Sequence, residues 1–311
     1  DGLEAIESSL LLLYKAMITI DPKIRQANRN SVIPDHSIGN SELSAMRALQ
    51  EKKDRYKSES TLFLSRLEQF MDMTFGAALM NTRDALSQPN KQPTRLDVSA
   101  HDLARNTLWQ YSPLLLFAKE IDVPSWEALI KMYQNRARAL YQEELRANIS
   151  AWQKTARKPA GDEQEPLFTT QEKDAEGLSS TARKLTVKRS QTLARSLRSA
   201  SNEKELGKDK KQDGRLYPFE TFAGVLDEAV PLIFTEQNFI VDFFHATSAE
   251  NLDFADAVTS TPVEARRGTN LYARKLFEPD RAMAKRVMGV VEDMYNFWPV
   301  DLQNFVEWII K

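Results

Sequence analysis

The side chains with the types needed for chemistry are three histidines, several neighbouring carboxylates, and a block of ten lysines and arginines between residues 183 and 211. His36, His101 and His245 stand far apart, and none falls in a His-Glu-X-X-His or other close metal-ligand spacing. With no cysteine, thiolate nucleophiles, disulfides and cysteine-ligated zinc are excluded. Gly207-Lys208 lacks the preceding glycine and the following Ser or Thr of a phosphate-binding loop, and Gly-X-Ser-X-Gly is absent. Asp227-Glu228 and Glu292-Asp293 are acidic pairs, but adjacent residues on a helix point about 100° apart and do not converge. The sequence therefore predicts no catalytic, cofactor-binding or metal-binding residue, and reads as a non-enzyme.

The basic block has a ligand-like character of its own. Arg183, Lys184, Lys188, Arg189, Arg195 and Arg198 are candidate contacts for an anionic surface, each contributing about 1 kcal/mol when close to lipid. Ser190, Ser196 and Ser199 follow basic residues and are candidate phosphorylation sites, whose modification would cut that charge. An acidic stretch precedes the block, with six carboxylates against Lys173 between residues 162 and 176. Segregated charge with few aromatics cannot offset ordering entropy, so residues 158–215 read as a charged, disordered insert. The whole chain carries 42 basic and 44 acidic residues, which leaves no general basic field and predicts no nucleic-acid partner. An alternative function arises here, that of a peripheral helical module binding anionic phospholipid through residues 183–211.

The elements around this insert read as helices. Only 10 Gly and 13 Pro in 311 residues permit long uninterrupted helices, and the expected fold is all-α, an elongated rod of stacked helical bundles. The expected organisation is a first bundle region over 1–157, the linker over 158–215, and a second bundle region over 216–311. Leu3, Ile6, Leu10, Leu13, Met17 and Ile20 draw a stripe along a first helix. A second runs from Asn40 or Ser41 to about Phe75, charged in its first half and apolar in its second. Ser99 caps a helix to Trp109, Ser112-Pro113 starts a short apolar one, and Asp122 with Pro124 launches a long one to Trp152.

Beyond the linker, a helix starts near Phe219, with Pro231 kinking or dividing it before His245. Phe239 and Phe243 are placed inward, whereas Phe244, diverging from its neighbour, is the candidate partner-interface residue. A helix from Asp280 is ended by Pro299, and Asp301 caps a last segment. No apolar run reaches the roughly 18 residues of a membrane span. The opening Asp1-Gly2 and the closing Trp308, Ile309 and Ile310 read as the limits of a piece of a longer protein.

Four stretches, Lys52–Leu67 (KKDRYKSESTLFLSRL), Tyr111–Lys119 (YSPLLLFAK), Met132–Glu144 (MYQNRARALYQEE) and Phe234–Phe244 (FTEQNFIVDFF), resemble the carboxy-terminal helical region of the exocyst Sec-three subunit family. The similarity keeps the same order along most of the chain outside the charged linker. The resemblance implies a scaffold subunit of the exocyst, which tethers secretory vesicles to the plasma membrane. Its implied location is cytoplasmic, peripheral at the cytoplasmic face of that membrane, and its implied partners are the other exocyst subunits. Rho-family GTPase and phosphoinositide binding belong, by the same resemblance, to a domain that this chain does not contain.

Overall fold

A computed structural model describes residues 2–21, 24, 46–87, 92–156, 216–246, 252–268, 271–272, 289 and 291–310. Among these residues the structure is helical, with one isolated bridge and no strand. The helices are α1 (Gly2–Ile20), α2 (Arg47–Leu86), α3 (Asp102–Trp109), α4 (Ser112–Ile121), α5 (Val123–Thr155), α6 (Pro218–Phe243), α7 (Phe254–Ser260) and α8 (Trp298–Ile310). Short 3-10 turns lie at Val98–His101 and Val263–Ala265, and residues 291–294 are also helical.

α2 and α5 form the spine, and at about 1.5 Å per residue they extend roughly 60 and 50 Å. They pack along each other; α1 and α3 lie on α2, α4 and α6 on α5, and α7 wedges between α1 and α4. α8 closes over α5 and α6. The charged first half of α2 buries no residue before Ser60, as expected of a polar helix segment that leaves its bundle. From there Leu64, Leu67, Met71, Phe75 and Ala78 recur at spacings of three and four and enter the core. On α1 the buried stripe is Glu7, Leu10, Tyr14 and Met17, rotated from the expected one, so that Ile6 is exposed and a carboxylate is inside.

Capping residues account for several boundaries. Asp122 starts α5 by accepting from Ser125 N at 3.3 Å, with Pro124 in the first turn, where no N–H is needed. Ahead of α3 the cap is Asp97, not Ser99: its carboxylate accepts from Ser99 N and begins the 3-10 turn that leads into the helix. Pro299 does not end a helix. It is the second residue of α8, after a turn at residues 295–297, where its missing N–H costs nothing. Asp301 accordingly sits in the first turn of α8, where it pairs with Arg146 of α5 at 2.7 Å. Pro231 leaves α6 undivided; it lies on the exposed face, and the carbonyl it leaves without a donor is that of the exposed Asp227, open to solvent.

The core crosses the charged insert. Ala156 and Leu216 form a parallel bridge, with Leu216 N donating to Thr155 O at 2.9 Å, so the end of α5 lies beside the residues that lead into α6. Phe239, Ile240, Phe243 and Phe244 from beyond the insert share one cluster with Leu64, Phe75, Leu115 and Trp126 from before it. A smaller cluster of Ile149, Val225, Phe305 and Ile309, flanked by Trp152 and Phe222, lies toward the far end of α5.

Gly224 shows how tightly α6 is fitted there. A glycine inside a helix costs about 0.5–1 kcal/mol relative to alanine, yet a Cβ at Gly224 would run into the Trp152 indole. Gly224→Ala is expected to lower stability by about 1–3 kcal/mol, the cost of overpacking exceeding the helix-propensity gain. Urea denaturation of both proteins measures the difference, and a stabilised variant would show that the indole can move aside.

Candidate functional site

The greatest concentration of buried polar groups in the described residues lies where α3, α5 and α6 meet. The periodicity that buries Ala104 and Leu108 of α3 also buries Arg105, and the stripe of Leu232, Phe239, Ile240 and Phe243 on α6 carries Glu236 inward. Arg105 Nε and Nη2 donate to Glu236 Oε2 at 3.2 and 3.0 Å. Arg105 Nη2 lies also 3.2 Å from the Tyr141 hydroxyl. Tyr141 donates to Glu236 Oε2 at 2.5 Å, and Tyr133 donates to Glu236 Oε1 in a short hydrogen bond. Both carboxylate oxygens are thus occupied. Next to them His101 is stacked on Tyr141, with centroids 4.9 Å apart at 9°, and holds Glu144 of α5 at 3.0 Å.

Electrostatics follow from enclosure. Burial, and then the Glu236 charge, push the hydroxyls of Tyr133, Tyr141 and Tyr295 well above the usual tyrosine range. Burial alone would lower the Arg105 guanidinium, but the adjacent Tyr141 and Glu236 outweigh it and raise its pKa. The group is a charge-neutralised, hydrogen-bonded lock. The depressions described on the protein lie elsewhere, one lined by Asp54, Lys57, Thr61 and Leu62 of α2 and another by Asp72, Lys131, Met132 and Arg136 of α2 and α5. No group of three His, Asp or Glu among the described residues is placed to hold a metal ion.

A second polar assembly holds the end of α6. Ala246 N donates to Val241 O at 2.8 Å and His245 N to Asp242 O at 3.2 Å, the paired bonds of a Schellman ending, with His245 at φ 52° where glycine is usual. Carbonyls left over at this end are taken up by side chains from α4 and α5. Ser112 Oγ donates to Phe243 O at 3.0 Å, Trp126 Nε1 to Phe244 O at 2.9 Å, and Lys119 Nζ to His245 O in a short bond.

This ending corrects the reading of Phe244. Adjacent residues diverge only while the helix continues; because α6 stops at Phe243 and the chain turns through His245, both rings enter the core, 4.9 Å apart and fully buried. Phe244 packs against Phe75 and Tyr133, and is not available to a partner in this fold. Phe239 and Phe243 do face inward, stacked at 5.0 Å. His101 and His245 are both buried in hydrogen bonds, while His36 lies outside the described residues. Arg183, Lys184, Lys188, Arg189, Arg195 and Arg198, with Ser190, Ser196 and Ser199, also lie outside them.

Sequence reasoning missed Arg105, Glu236, Glu7 and Arg266. For Arg105, Glu236 and Glu7 the signal was a charged residue in phase with an apolar stripe; Arg266 follows a 3-10 turn and belongs to no stripe. Glu7 of α1 and Arg266 make a buried bidentate pair at 2.6 and 2.9 Å, and Arg266 also donates to Gln110 O at 2.9 Å.

Fold and site together define an all-α protein whose buried polar chemistry is spent on holding helices to one another. Residues 243–311 match the family model of exocyst complex component Sec3, C-terminal. Of the four stretches on which the sequence resemblance rests, only Phe234–Phe244 reaches into that match, at Phe243 and Phe244. Neither a curated protein nor a solved structure matches the chain. No described helix is long and apolar enough to cross a membrane.

Two outcomes test the lock. Glu236→Leu strands a buried guanidinium and two tyrosine hydroxyls, and is expected to cost about 3–5 kcal/mol in urea denaturation; adding Arg105→Met should restore the part due to the stranded charge, and leave the part due to the hydroxyls. Because the folded-state tyrosine pKa values are raised, their contribution is complete below about pH 10, the unfolded value, and is lost as pH rises beyond it. The melting temperature should fall above about pH 10, and fall less steeply in Tyr295→Phe, whose lost hydroxyl has no hydrogen-bond partner.

Proposed function

We propose that this chain is part of a non-catalytic scaffold subunit of the exocyst, the assembly that tethers secretory vesicles to the plasma membrane in exocytosis. The observation that carries the reading is the match of residues 243–311 to the Sec3 C-terminal family. The disposition of polar groups supports it: Arg105, Glu236, Tyr133 and Tyr141 saturate one another inside the core, an arrangement suited to rigidity. A principal core and a smaller one follow each other along α5, which supports an elongated shape in which cores succeed one another in series. In this role the subunit works in the cytoplasm, at the cytoplasmic face of the plasma membrane where vesicles dock, and its partners are the other exocyst subunits.

Co-purification of the tagged chain with each remaining exocyst subunit tests the proposal. Retention of at least one subunit through high-salt washing is the expected outcome, since stable interfaces rest on buried apolar area more than on screened charge. Retention of none would overturn it.

A further inference from the structure

The outer face of α6 departs from an ordinary solvent-facing helix surface. Phe219 and Phe234 are 67% and 43% exposed, large aromatic rings where a monomeric helix would present polar residues. Between them, at helical spacing on the same face, stand Ala223 and the half-buried Val230. The strip covers about four turns, roughly 22 Å. Phe219 is stacked on Tyr217 at 5.9 Å and 15°, which holds its ring as a preformed anchor.

Charge on this helix has one sign. α6 contains Glu220, Asp227, Glu228, Glu236 and Asp242, and neither lysine nor arginine. Glu236 is neutralised within the core by Arg105, and Glu228 accepts from Leu96 N at 2.8 Å. Asp227 is exposed beside the apolar strip, and Glu220 stands at the strip's beginning, accepting from Tyr217 N at 3.0 Å.

The geometry points to the outer face of α6 as a docking surface for a basic amphipathic α-helix of a partner protein, its apolar stripe on Phe219, Val230 and Phe234 and its lysines or arginines over Asp227 and Glu220. A helix is the fitting occupant because Phe219, Ala223, Val230 and Phe234 line up along one face of α6 as a ridge of the kind that packs against the grooves of another helix, and no strand is described that could accept an added one. A second copy is disfavoured by the same charges, since α6 against α6 would bring carboxylates onto carboxylates with no cation between them. The inference deepens the scaffold reading by giving it a surface and a partner chemistry.

The test uses the intact 311-residue chain and two fluorescein-labelled amphipathic peptides of about 18 residues, a length matched to the strip, one of leucine and lysine and one of leucine and glutamate. Fluorescence anisotropy should show binding of the lysine peptide, weakened by salt, and little binding of the glutamate peptide. Phe219→Ser with Phe234→Ser should reduce the lysine-peptide affinity about tenfold or more, and Asp227→Lys should reduce it as well. Circular dichroism spectra should stay helical, with only a small fall in melting temperature in the double phenylalanine variant, whose rings are partly buried. Equal binding of both peptides, or lysine-peptide binding indifferent to the phenylalanine substitutions, overturns the inference. So does concentration-dependent self-association lost in the double variant, which identifies a second copy as the occupant. Lysine-peptide binding gained only when residues 183–211 are deleted would place this chain's own basic block on the face, and overturns it too. Because the readout is a peptide, its failure leaves the subunit co-purification result standing, and the two readings fail separately.

Discussion

The buried pair of Arg105 and Glu236 is the constraint on which the described fold depends. One partner lies in α3, before the charged insert, and the other in α6, after it, 131 residues apart in sequence. Two ions removed from water repay their desolvation only when geometry is good and the remaining hydrogen-bonding capacity is used. Here Tyr133 and Tyr141 of α5 supply those bonds, so the pair fixes three helices at once. An apolar contact tolerates sliding; this one admits a single register of α6 along α5. Glu7 and Arg266 play the same part at the other end, tying α1 to the turn after α7.

With the register fixed, the end of α6 explains the centre of the core. Phe239, Phe243 and Phe244 surround Phe75 and Tyr133 because α6 stops where it does, and its last carbonyls are met by Ser112, Lys119 and Trp126. A helix terminus driven into a core would otherwise bury unpaired acceptors at a cost of about 1–3 kcal/mol each. Lysine near a helix C-terminus adds a favourable interaction with the dipole. The polar and apolar parts of this junction therefore require each other. Moving α6 by one turn would lose the Glu236 lock and expose the carbonyls together.

The bridge of Ala156 to Leu216 settles how a long charged segment coexists with a shared core. Closing a loop costs only about 0.6 kcal/mol more for each doubling of its length. Once α5 and α6 are aligned by packing, the intervening residues add little to the difficulty of folding. Surface pairs such as Arg136 with Asp72 and Arg146 with Asp301 trim the alignment of α5 with α2 and α8 at modest energy.

Local information was enough for the helical class, for the Asp122 and Pro124 start of α5, for the polar overhang of α2 and for the inward Phe239 and Phe243, because caps and 3.6-residue periodicity act within a few turns. The absence of cysteine and of close metal-ligand spacings was likewise a property of the chain alone. Phe244, Glu236 and the continuity of the core were decided by tertiary structure. Whether a phenylalanine beside another is buried depends on where its helix ends and what caps it. Whether a glutamate in an apolar stripe is tolerated depends on an arginine 131 residues away. Periodicity names the face of a helix; only packing supplies its partner.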